Sequence, residues 1–472
     1  MEGNFTLDSS MLLAGLAILP VFAWFALRRM TLKLFLFGSL LLLVFSRGTL
    51  ELLGISTLLT RVGAEALVLA CFILVILMSG SPRKRLPGLY SMSAFVCVAL
   101  LTLLFNEIKP TMVLLFFRDY LFTIMFFYAA INASFNDHEV RVIGKVLVFL
   151  FLSQIAANII KVFVLGDIVE PYIGTMANLG GSLTIIFAMV GSVVSIALYL
   201  NTRKYRYVIV LIGFIAFSII GGKRAALVYI PLIYLVLLAR YQLQSGVKLG
   251  ALFKQGALFV LVTLVFVYIS LRLMPSLNPE REVWGTFDIE YAMDYGTRYV
   301  TTGSGAIATI GRAEAPAYLF SRVASDSYLH LFIGYGAGHL IKSRFNPLLV
   351  RTGDQSELSK ELYGVGYGAR TAFLQLFLQV GIVGVFFYLA LWVRIFKVEF
   401  RFQRRRLSRA EANLGSLVIL GVSVVFLIDF FTYSVVFVQL GPVSLATAMI
   451  VSLSRHKALI DRRGVLPAAR LQ

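Results

Sequence analysis

Long runs of apolar residues, separated by short polar loops, recur along most of this 472-residue chain. A helix that crosses a bilayer needs about 20 mostly apolar residues, because the hydrocarbon core is about 30 Å thick. By that criterion the sequence predicts about thirteen membrane helices. Their approximate bounds are 11–27, 32–46, 62–80, 88–106, 111–133, 142–165, 177–200, 206–220, 225–240, 251–272, 370–395, 412–437 and 439–454.

The composition supports a membrane protein and excludes an ordinary soluble domain. Apolar residues make up 59% of the chain and charged residues only 14%, whereas soluble domains carry about 25% charged residues. Cys71 and Cys97 lie inside apolar runs, where packing is the expected role rather than a disulfide or a metal site. We therefore predict an all-α polytopic membrane protein with about 12–13 transmembrane helices and one large, partly helical polar loop.

The excess of basic residues follows the loops. The chain carries 43 Lys and Arg against 24 Asp and Glu, but a nucleic-acid-binding protein would gather that charge on one soluble face. Here the basic clusters follow odd-numbered predicted helices, which assigns them to the cytoplasm and the N-terminus to the outside. We therefore expect a cytoplasmic C-terminus and no nucleic-acid partner. The clusters are 28–33, 83–85, 141–145, 203–206, 240–254, 397–409 and 455–463.

Residues 274–369, the outer segment, form the one sizeable stretch that is too polar for a bilayer. They separate predicted helices 1–10, in residues 1–273, from helices 11–13 and a cytoplasmic tail, in residues 370–472. Apolar residues recur every three to four positions from Ala315 to Phe332, which predicts one helix whose apolar face lies on the membrane or on the bundle. That face comprises Ala317, Phe320, Val323, Ala324, Tyr328 and Leu331.

The sequence Gly221-Gly222-Lys223-Arg224-Ala225-Ala226, the cation turn, interrupts two apolar runs on the predicted outer side. Cations at the start of a helix are unfavourable for the helix dipole, so an anionic partner is expected. A pyrophosphate fits, because arginine binds phosphate through two parallel hydrogen bonds and glycines let backbone N–H groups approach an anion. A plain loop with cations at the membrane surface is the alternative.

Ionisable residues inside predicted helices are further candidates, because burying charge in a bilayer is costly. Arg118 and Asp119 lie about two turns inside their helix. Adjacent helical residues point about 100° apart, so each is expected to have a separate partner. A phosphate site and a structural ion pair both stay open for Arg118. Asp429 is expected to pair with an arginine or to act as a base.

Polar residues in the outer segment are candidates for chemistry. Arg322, Asp326 and His330 are four residues apart and are expected to share a helical face, and His339 follows the glycine-rich sequence 334–338. That sequence is typical of a turn where backbone approaches a ligand or another helix. No metal-ligand spacing and no nucleotide-binding motif is present in the sequence, so we expect no metal and no cofactor. The full set is Arg312, Glu314, Arg322, Asp326, His330 and His339.

Several short motifs resemble the O-antigen ligase and polymerase superfamily of bacterial membrane glycosyltransferases. Gly-Thr-Met-Ala-Asn at 174–178 resembles a Gly-x-x-x-Asn element, and Gly-Lys-Arg-Ala-Ala-Leu at 222–227 resembles a helix start with the order Ser-Arg-Gly. Gly311-Arg312 followed by Gly-Tyr-Gly at 334–336 resembles the loop arginine and a Gly-x-Gly turn. These motifs occur in the order that the family shows.

Residues 372–375 and 380–384 resemble the helix that follows the family's outer loop, so that the pattern covers about residues 170–395. Ligases of this family usually carry a His-Asn or His-Ser pair just before that helix. Here the matching residues are Arg370 and Thr371. This departure favours a Wzy-type polysaccharide polymerase over an O-antigen ligase.

The resemblance implies a metal-independent fold of the kind grouped with the type C glycosyltransferases, in a bacterial inner membrane. It implies a donor of undecaprenyl-pyrophosphate-linked oligosaccharide at the periplasmic face, an acceptor glycolipid and, as further partners, a chain-length regulator and a flippase. Arg224 and Arg312 would hold the pyrophosphate, with Lys223, Arg118 and Arg322 as additional candidates. The acceptor's base is open among Glu314, Asp326, His330 and His339. A ligase acting on lipid A core and a polysaccharide or lipid transporter are the alternatives.

Overall fold

A computed structural model describes most of the helical part of the chain. All regular structure in that part is helical, which confirms the prediction of an all-α protein. The described residues are 47–52, 57–77, 88–106, 110–132, 152–160, 174–176, 182–221, 223–245, 249–301, 313–340, 371–406 and 409–433, with a few isolated positions.

Thirteen α-helices have defined bounds within these residues, and two short 3₁₀ helices occur at Thr102–Leu104 and Pro275–Leu277. Residues 152–160 are helical as well. The α-helices are α1 (Arg47–Leu52), α2 (Thr57–Leu77), α3 (Leu89–Leu101), α4 (Pro110–Asn132), α5 (Ser182–Thr202), α6 (Arg206–Ile220), α7 (Ala226–Ser245), α8 (Leu249–Leu273), α9 (Ile289–Thr301), α10 (Ala315–Asp326), α11 (Tyr328–Ile333), α12 (Ala372–Arg406) and α13 (Arg409–Thr432).

Five of the described helices, α4, α5, α7, α12 and α13, are long and apolar enough to cross a membrane. Shorter apolar stretches lie within α2, α3, α6 and α8. The protein is therefore a multi-pass membrane protein, as the sequence predicts. The predicted helices at 11–27 and 439–454, and most of the one at 32–46, lie outside the described residues, whereas the one at 142–165 is described mainly at 152–160.

The bundle is centred on α12, which packs against α3 on one side and α13 on the other. Next to α13 comes α5, and α5 packs against both α6 and α7. Buried aromatic rings fill the space between α3, α4 and α12. Phe95 lies 5.3 Å from Tyr388, and Tyr120 lies 5.6 Å from Tyr388, measured between ring centroids. Such packing holds helices together where lipid gives no hydrophobic driving force.

Several of these helices begin or end on one side of the bundle, here called the outer end because the charges of the loops predict that it faces outside. At this end α3 finishes and α4 begins. The Ala372 N–H donates to the Tyr433 carbonyl at 2.7 Å, which ties the start of α12 to the end of α13. The Tyr229 hydroxyl, one turn into α7, lies 3.1 Å from the Thr432 hydroxyl. The start of α7 is therefore at the outer end too.

The outer segment contributes α9, α10 and α11, of which only the region of the last two was predicted. The expected single helix from Ala315 to Phe332 is wrong, because Ser327 has an extended backbone and its side chain caps α11 by accepting from the Leu329 N–H. The break turns α11 relative to α10, so the expected apolar face is only partly correct. Tyr328 is 75% exposed, whereas Phe320 packs on Phe377 of α12 at 4.3 Å.

A kink at Gly381 lets α12 bind the outer segment through backbone atoms. Gly381 has φ 63° and ψ −173°, which is not helical. In an uninterrupted helix the carbonyls of Leu378 and Gln379 would accept from residues 382 and 383. At the kink they accept from the Tyr335 N–H at 2.8 Å and from the Gly336 N–H at 3.0 Å. The helix and the glycine turn after α11 therefore form one hydrogen-bonded unit.

We expect Gly381→Ala to destabilise the protein. The backbone strain of an L-residue at these angles costs about 1–3 kcal/mol, and a Cβ would also collide with the Phe332 carbonyl. The measurement is the thermal unfolding midpoint in detergent. Gly296→Ala in α9 is the matched control, because its Cβ would meet nothing within 4 Å. An equal midpoint for both variants would contradict the described kink.

Candidate functional site

The cation turn joins α6 to α7 in few residues. The Lys223 N–H donates to the Ser218 carbonyl at 2.9 Å, so the chain folds back over the end of α6. The N–H groups of Ala226 and Leu227 donate to the carbonyls of Lys223 and Arg224, both at 3.0 Å, which gives α7 a tight first turn. Lys223 and Arg224 are half-buried at this helix start. The predicted arrangement, two cations at the beginning of an outer-end helix, is present.

Arg224 reaches from this turn to the outer segment. Its guanidinium carbon lies 4.6 Å from the ring centroid of Tyr295 in α9. A stacked guanidinium is attracted by the ring face, and its N–H donors lie in the guanidinium plane, at right angles to the stacking direction. The contact holds the guanidinium of Arg224 against the outer segment at the start of α7. Tyr295 was not among the predicted residues.

Arg118 and Asp119 pair with each other, so the prediction of separate partners is wrong. Arg118 Nε and Nη2 donate to Asp119 Oδ1 at 3.0 Å and 2.8 Å. The prediction considered only the directions of the two Cβ atoms, which diverge by about 100°. The long arginine side chain turns back along the helix surface and closes that gap. Both side chains are about one-fifth exposed, 18% and 19%.

Four side chains of the outer segment form a second polar group, here called the His–Tyr cluster: Asp326, His330, Tyr335 and His339. His330 Nδ1 lies 3.2 Å from Asp326 Oδ2 across the Ser327 break. The His330 ring lies 4.4 Å from the Tyr335 ring, and the Tyr335 ring lies 5.4 Å from the His339 ring. Tyr335 also hydrogen-bonds to the Asp326 carboxylate. The sequence singled out the other three residues and missed Tyr335.

The glycine turn that holds this cluster approaches two helices through its backbone, which agrees with its predicted character. Gly334, Gly336 and Gly338 all have positive φ, at 78°, 112° and 95°. A Cβ on Gly338 would lie 2.6 Å from the Met112 carbonyl oxygen at the start of α4. The Gly338 N–H donates to Gln379 Oε1 at 3.0 Å, and the Ala337 N–H donates to Thr102 Oγ1 at 3.0 Å. A side chain at any of these three glycines would collide with atoms of the neighbouring segments.

Burial and neighbouring charge change the acid–base properties of the cluster. Burial, and after it the proximity of His330, lowers the pKa of His339 below its usual value. Burial, followed by the hydrogen bond to Asp326 and its charge, raises the pKa of Tyr335 to about 12. Tyr335 is therefore a hydrogen-bond donor at neutral pH. His339 is a neutral imidazole there, which is the form that accepts a proton.

The lowered pKa of His339 predicts that acid loosens the glycine turn. Its contribution to stability is complete above the unfolded-state pKa of about 6.5 and is lost as the pH falls below that value, because the unfolded chain binds the proton more readily. The protection factors of the amides of residues 334–340, which correct the exchange rates for their intrinsic pH dependence, should therefore fall between about pH 7 and pH 5. His339→Gln should flatten this dependence. An unchanged pH profile in that variant would assign the effect to another group.

The remaining predicted residues are distributed as follows. Glu314 is exposed and precedes α10 without a side-chain cap bond. Arg322 is exposed, and its Nη1 donates to the Tyr318 hydroxyl at 3.1 Å. Asp429 is fully buried in α13. Thr371 caps α12 by accepting from the Leu374 N–H at 3.2 Å. Arg312 and Arg370 lie outside the described residues.

The Gly-Thr-Met part of the motif at 174–178 is a turn held by the helical stretch 152–160. The Thr175 N–H donates to Gln154 Oε1 at 2.8 Å, and the Gly174 N–H lies 3.4 Å from Asn158 Oδ1. Both Gln154 and Asn158 are buried. A Cβ on Gly174, whose φ is 47°, would meet Gln154 Oε1 at 2.5 Å. The glycine of this motif is thus explained by structure alone.

The cation turn and the His–Tyr cluster share the outer end but belong to different parts of the bundle. The cation turn lies where α5, α6 and α7 meet, and the cluster docks on α3, α4 and α12. Within the described residues, no three His, Cys, Asp or Glu side chains converge as a metal site would require.

A scan against protein-family models finds no match, and no curated protein matches the sequence. The helices define the class of protein: an all-α, multi-pass membrane protein with polar groups gathered at one end. The narrower resemblance to the O-antigen ligase and polymerase superfamily stays a prediction.

Proposed function

We propose that the protein is an inner-membrane polysaccharide polymerase. It would transfer an undecaprenyl-pyrophosphate-linked glycan to a hydroxyl of an acceptor lipid-linked repeat unit at the periplasmic face. The observation that carries the proposal is the position of Arg224, at a helix start on the outer end and stacked on Tyr295 of the outer segment. A lipid-borne diphosphate at the membrane surface is an anion that such a cation can meet without leaving the bilayer boundary.

The proposed reaction needs one new bond, one broken bond and one proton transfer. The acceptor hydroxyl oxygen attacks the anomeric carbon of the donor sugar, and the bond from that carbon to the phosphate oxygen breaks. The electron pair leaves with undecaprenyl pyrophosphate, so negative charge grows there in the transition state. Fixed cations beside that charge stabilise it most where water is excluded. We propose Lys223 and Arg224 for this role, with Arg312 as the further candidate.

The proton of the acceptor hydroxyl requires a base, and the Asp326–His330 pair is the best supported candidate. With Asp326 Oδ2 at 3.2 Å from His330 Nδ1, the carboxylate holds the tautomer that carries its hydrogen on Nδ1. The other ring nitrogen, Nε2, then accepts the proton. Glu314 is less suitable, since it is exposed and no described contact places it in the cluster. His339 is half-buried, and its ring packs on the Tyr335 ring at 5.4 Å, so we assign it to the stack.

Two alternatives use the same membrane scaffold. An O-antigen ligase would perform the same displacement with lipid A core as the acceptor. A transporter would need polar groups along a path through the membrane. The cation turn and the His–Tyr cluster both lie at the outer end, which favours a reaction at one surface over passage through the bundle.

The direct test uses the purified protein in vesicles with undecaprenyl-pyrophosphate-linked repeat units. A polymerase yields longer glycans on the same lipid carrier. A ligase yields glycan on lipid A core, and only when that acceptor is present. A transporter moves the substrate between leaflets with no new glycosidic bond. Repeat units that stay single in every condition, with folded protein present, would end the proposal of glycan transfer.

A further inference from the structure

The chain between α8 and α9 is a closed loop with a defined interior. At its base, Arg272 Nε donates to the Gly285 carbonyl at 2.9 Å, and the Gly285 N–H donates to the Arg272 carbonyl at 3.0 Å. Inside it, fully buried Asn278 donates to the carbonyls of Met274 and Glu282 and accepts from the Glu282 N–H. These bonds fix the loop, so the side chains at its tip are presented in one arrangement.

This loop and the first turns of α9 expose large apolar side chains to the surroundings. The exposed fractions are 53% for Trp284, 54% for Ile289 and 69% for Met293. Val283 and Phe287 are exposed to a similar degree. Trp284 has φ 70°, which is unusual for a bulky residue. The loop therefore holds an indole outward at some conformational cost, rather than folding it inside. We call Tyr268, Val283, Trp284, Phe287, Ile289 and Met293 the apolar rim.

The apolar rim continues a surface that already faces lipid. Along α8, Leu261, Leu264 and Val265 are exposed on one side of the helix, and in a membrane protein such a side contacts the acyl chains. Tyr268 lies one turn further along the same side, and its ring is 5.2 Å from the ring of Phe287 in the rim. The lipid-facing side of α8 thus passes into the rim without a polar interruption.

Arg272 marks the depth at which the bilayer ends. Its guanidinium carbon lies 5.0 Å from the Trp284 ring centroid, and its Nη1 donates to the Tyr268 hydroxyl at 3.2 Å. Tryptophan, tyrosine and arginine gather at the boundary between acyl chains and headgroups, where an apolar ring and a polar group are both satisfied. This combination of side chains is typical of a surface at the boundary of a bilayer.

Helix α9 has three distinct sides. Glu290, Asp294 and Arg298 form a charged side, and Arg298 pairs with Asp294. Ile289 and Met293, four residues apart, form an exposed apolar side. Tyr295, on the remaining side, stacks on Arg224 at the start of α7. A helix with one side for water, one for acyl chains and one for protein is typical of a helix lying in the plane of a membrane surface.

We propose that α9 and the preceding loop insert the apolar rim into the outer leaflet, so that α9 forms the border between the bilayer and Arg224. The insertion of the rim does not depend on the proposed reaction. Its consequence rests on the proposed function: an anionic lipid reaches Arg224 from the bilayer, passing alongside α9, and its acyl chain stays in contact with Ile289 and Met293.

Quenching by brominated lipids tests the insertion with substrate absent. The chain has three tryptophans, so Trp24→Phe and Trp392→Phe leave Trp284 as the reporter in nanodiscs. Brominated chains should lower its emission about twofold or more, because interfacial residues sit about 5–10 Å into the leaflet and bromine quenches at contact. With Trp284→Phe added, Met293→Trp should be quenched in the same way and Arg298→Trp, on the charged side of α9, should not.

Three outcomes would overturn the insertion. In the first, the emission of Trp284 and of the Met293→Trp variant is unchanged by bromine; in the second, the Arg298→Trp variant is quenched to the same extent as Met293→Trp. In the third, bromine quenches Trp284 only when each nanodisc holds a single copy of the protein, which would instead assign the rim to contact between two copies. Each of these results is independent of whether the protein makes polymer.

A second pair of variants tests the consequence for substrate entry. Met293→Asp should raise the KM for the lipid-linked donor about tenfold, because a carboxylate is unfavourable in the leaflet and repels the pyrophosphate. Met293→Leu keeps an apolar side chain at the same position and should leave the KM unchanged. Quenched rim residues together with equal KM values for the two variants would keep the insertion and reject the entry route. If the unmodified protein forms no polymer, the proposed function is rejected and the insertion of the rim is unaffected.

Discussion

Replacing Arg224 by alanine is expected to lower the rate of polymer formation about 100–1000-fold at an unchanged protein level. That is the typical cost of removing one fixed donor from a charge that develops in the transition state. Arg224 lies at the start of α7 and contacts the Tyr295 ring at 4.6 Å, and Lys223 beside it lacks the planar guanidinium that could take its place. The loss should appear in kcat more than in KM.

Arg224→Lys should recover little of this activity. Lysine keeps the charge but lacks the planar group that stacks on Tyr295 and binds two phosphate oxygens together. Rates would be measured with lipid-linked repeat units in vesicles, and on cells by the length of surface glycan.

Arg206 provides a matched control for these variants. It lies at the start of α6 at the opposite, predicted cytoplasmic end, and its guanidinium carbon is 4.8 Å from the Tyr207 ring. Arg206→Ala removes the same kind of stacked cation from a helix start, and we expect full activity. Full-length polymer in the Arg224→Ala variant, or equal losses in both variants, would show that the outer-end cation has no special part in the reaction.

Replacing His330 by alanine is the second large effect that we expect, with a rate loss of about 100–10,000-fold, the usual contribution of a positioned base. Asp326→Asn should lower the rate less, because it alters the tautomer of His330 and leaves the imidazole in place. The measurement that separates a base from a structural residue is rescue: added imidazole should restore part of the rate of His330→Ala and none of the rate of Arg224→Ala.

Tyr328→Phe is the control within the same short helix, since Tyr328 is 75% exposed and two residues from His330. It should be fully active. A His330→Ala variant that keeps the normal rate would remove His330 from the mechanism and return the choice to Asp326, Glu314 and His339. Loss of rate without imidazole rescue would indicate that His330 acts only by packing on Tyr335, at 4.4 Å.

The membrane helices were predictable from the sequence because a bilayer imposes a minimum apolar length on each helix. The glycine turn at 334–338 was predictable as a place of close backbone approach for a similar reason, since positive φ and missing Cβ atoms leave few other uses for clustered glycines. Both features depend on local sequence. The order of helices in the bundle does not follow from either rule.

The features that sequence reasoning missed depend on single residues or on contacts between distant ones. One extended residue, Ser327, breaks the predicted helix and changes which residues are buried. The pairing of Arg118 with Asp119 depends on side-chain length rather than on helical geometry. Tyr295 meets Arg224 from 71 positions away, and nothing in the spacing of either residue indicates the other. The four-residue spacing of Tyr291 and Tyr295 could have indicated an aromatic side of α9, but not the arginine that it contacts.

The kink at Gly381 has a consequence for chimeric proteins. The carbonyls of Leu378 and Gln379 accept hydrogen bonds from the N–H groups of Tyr335 and Gly336. An exchange of the outer segment alone would replace these donors by a turn from another protein that was not matched to this helix. A transplant that changes acceptor preference between two such proteins would have to carry residues 328–340 and 371–384 together. These two segments are distant in the sequence but hydrogen-bonded in the fold, so they have to be exchanged as a pair.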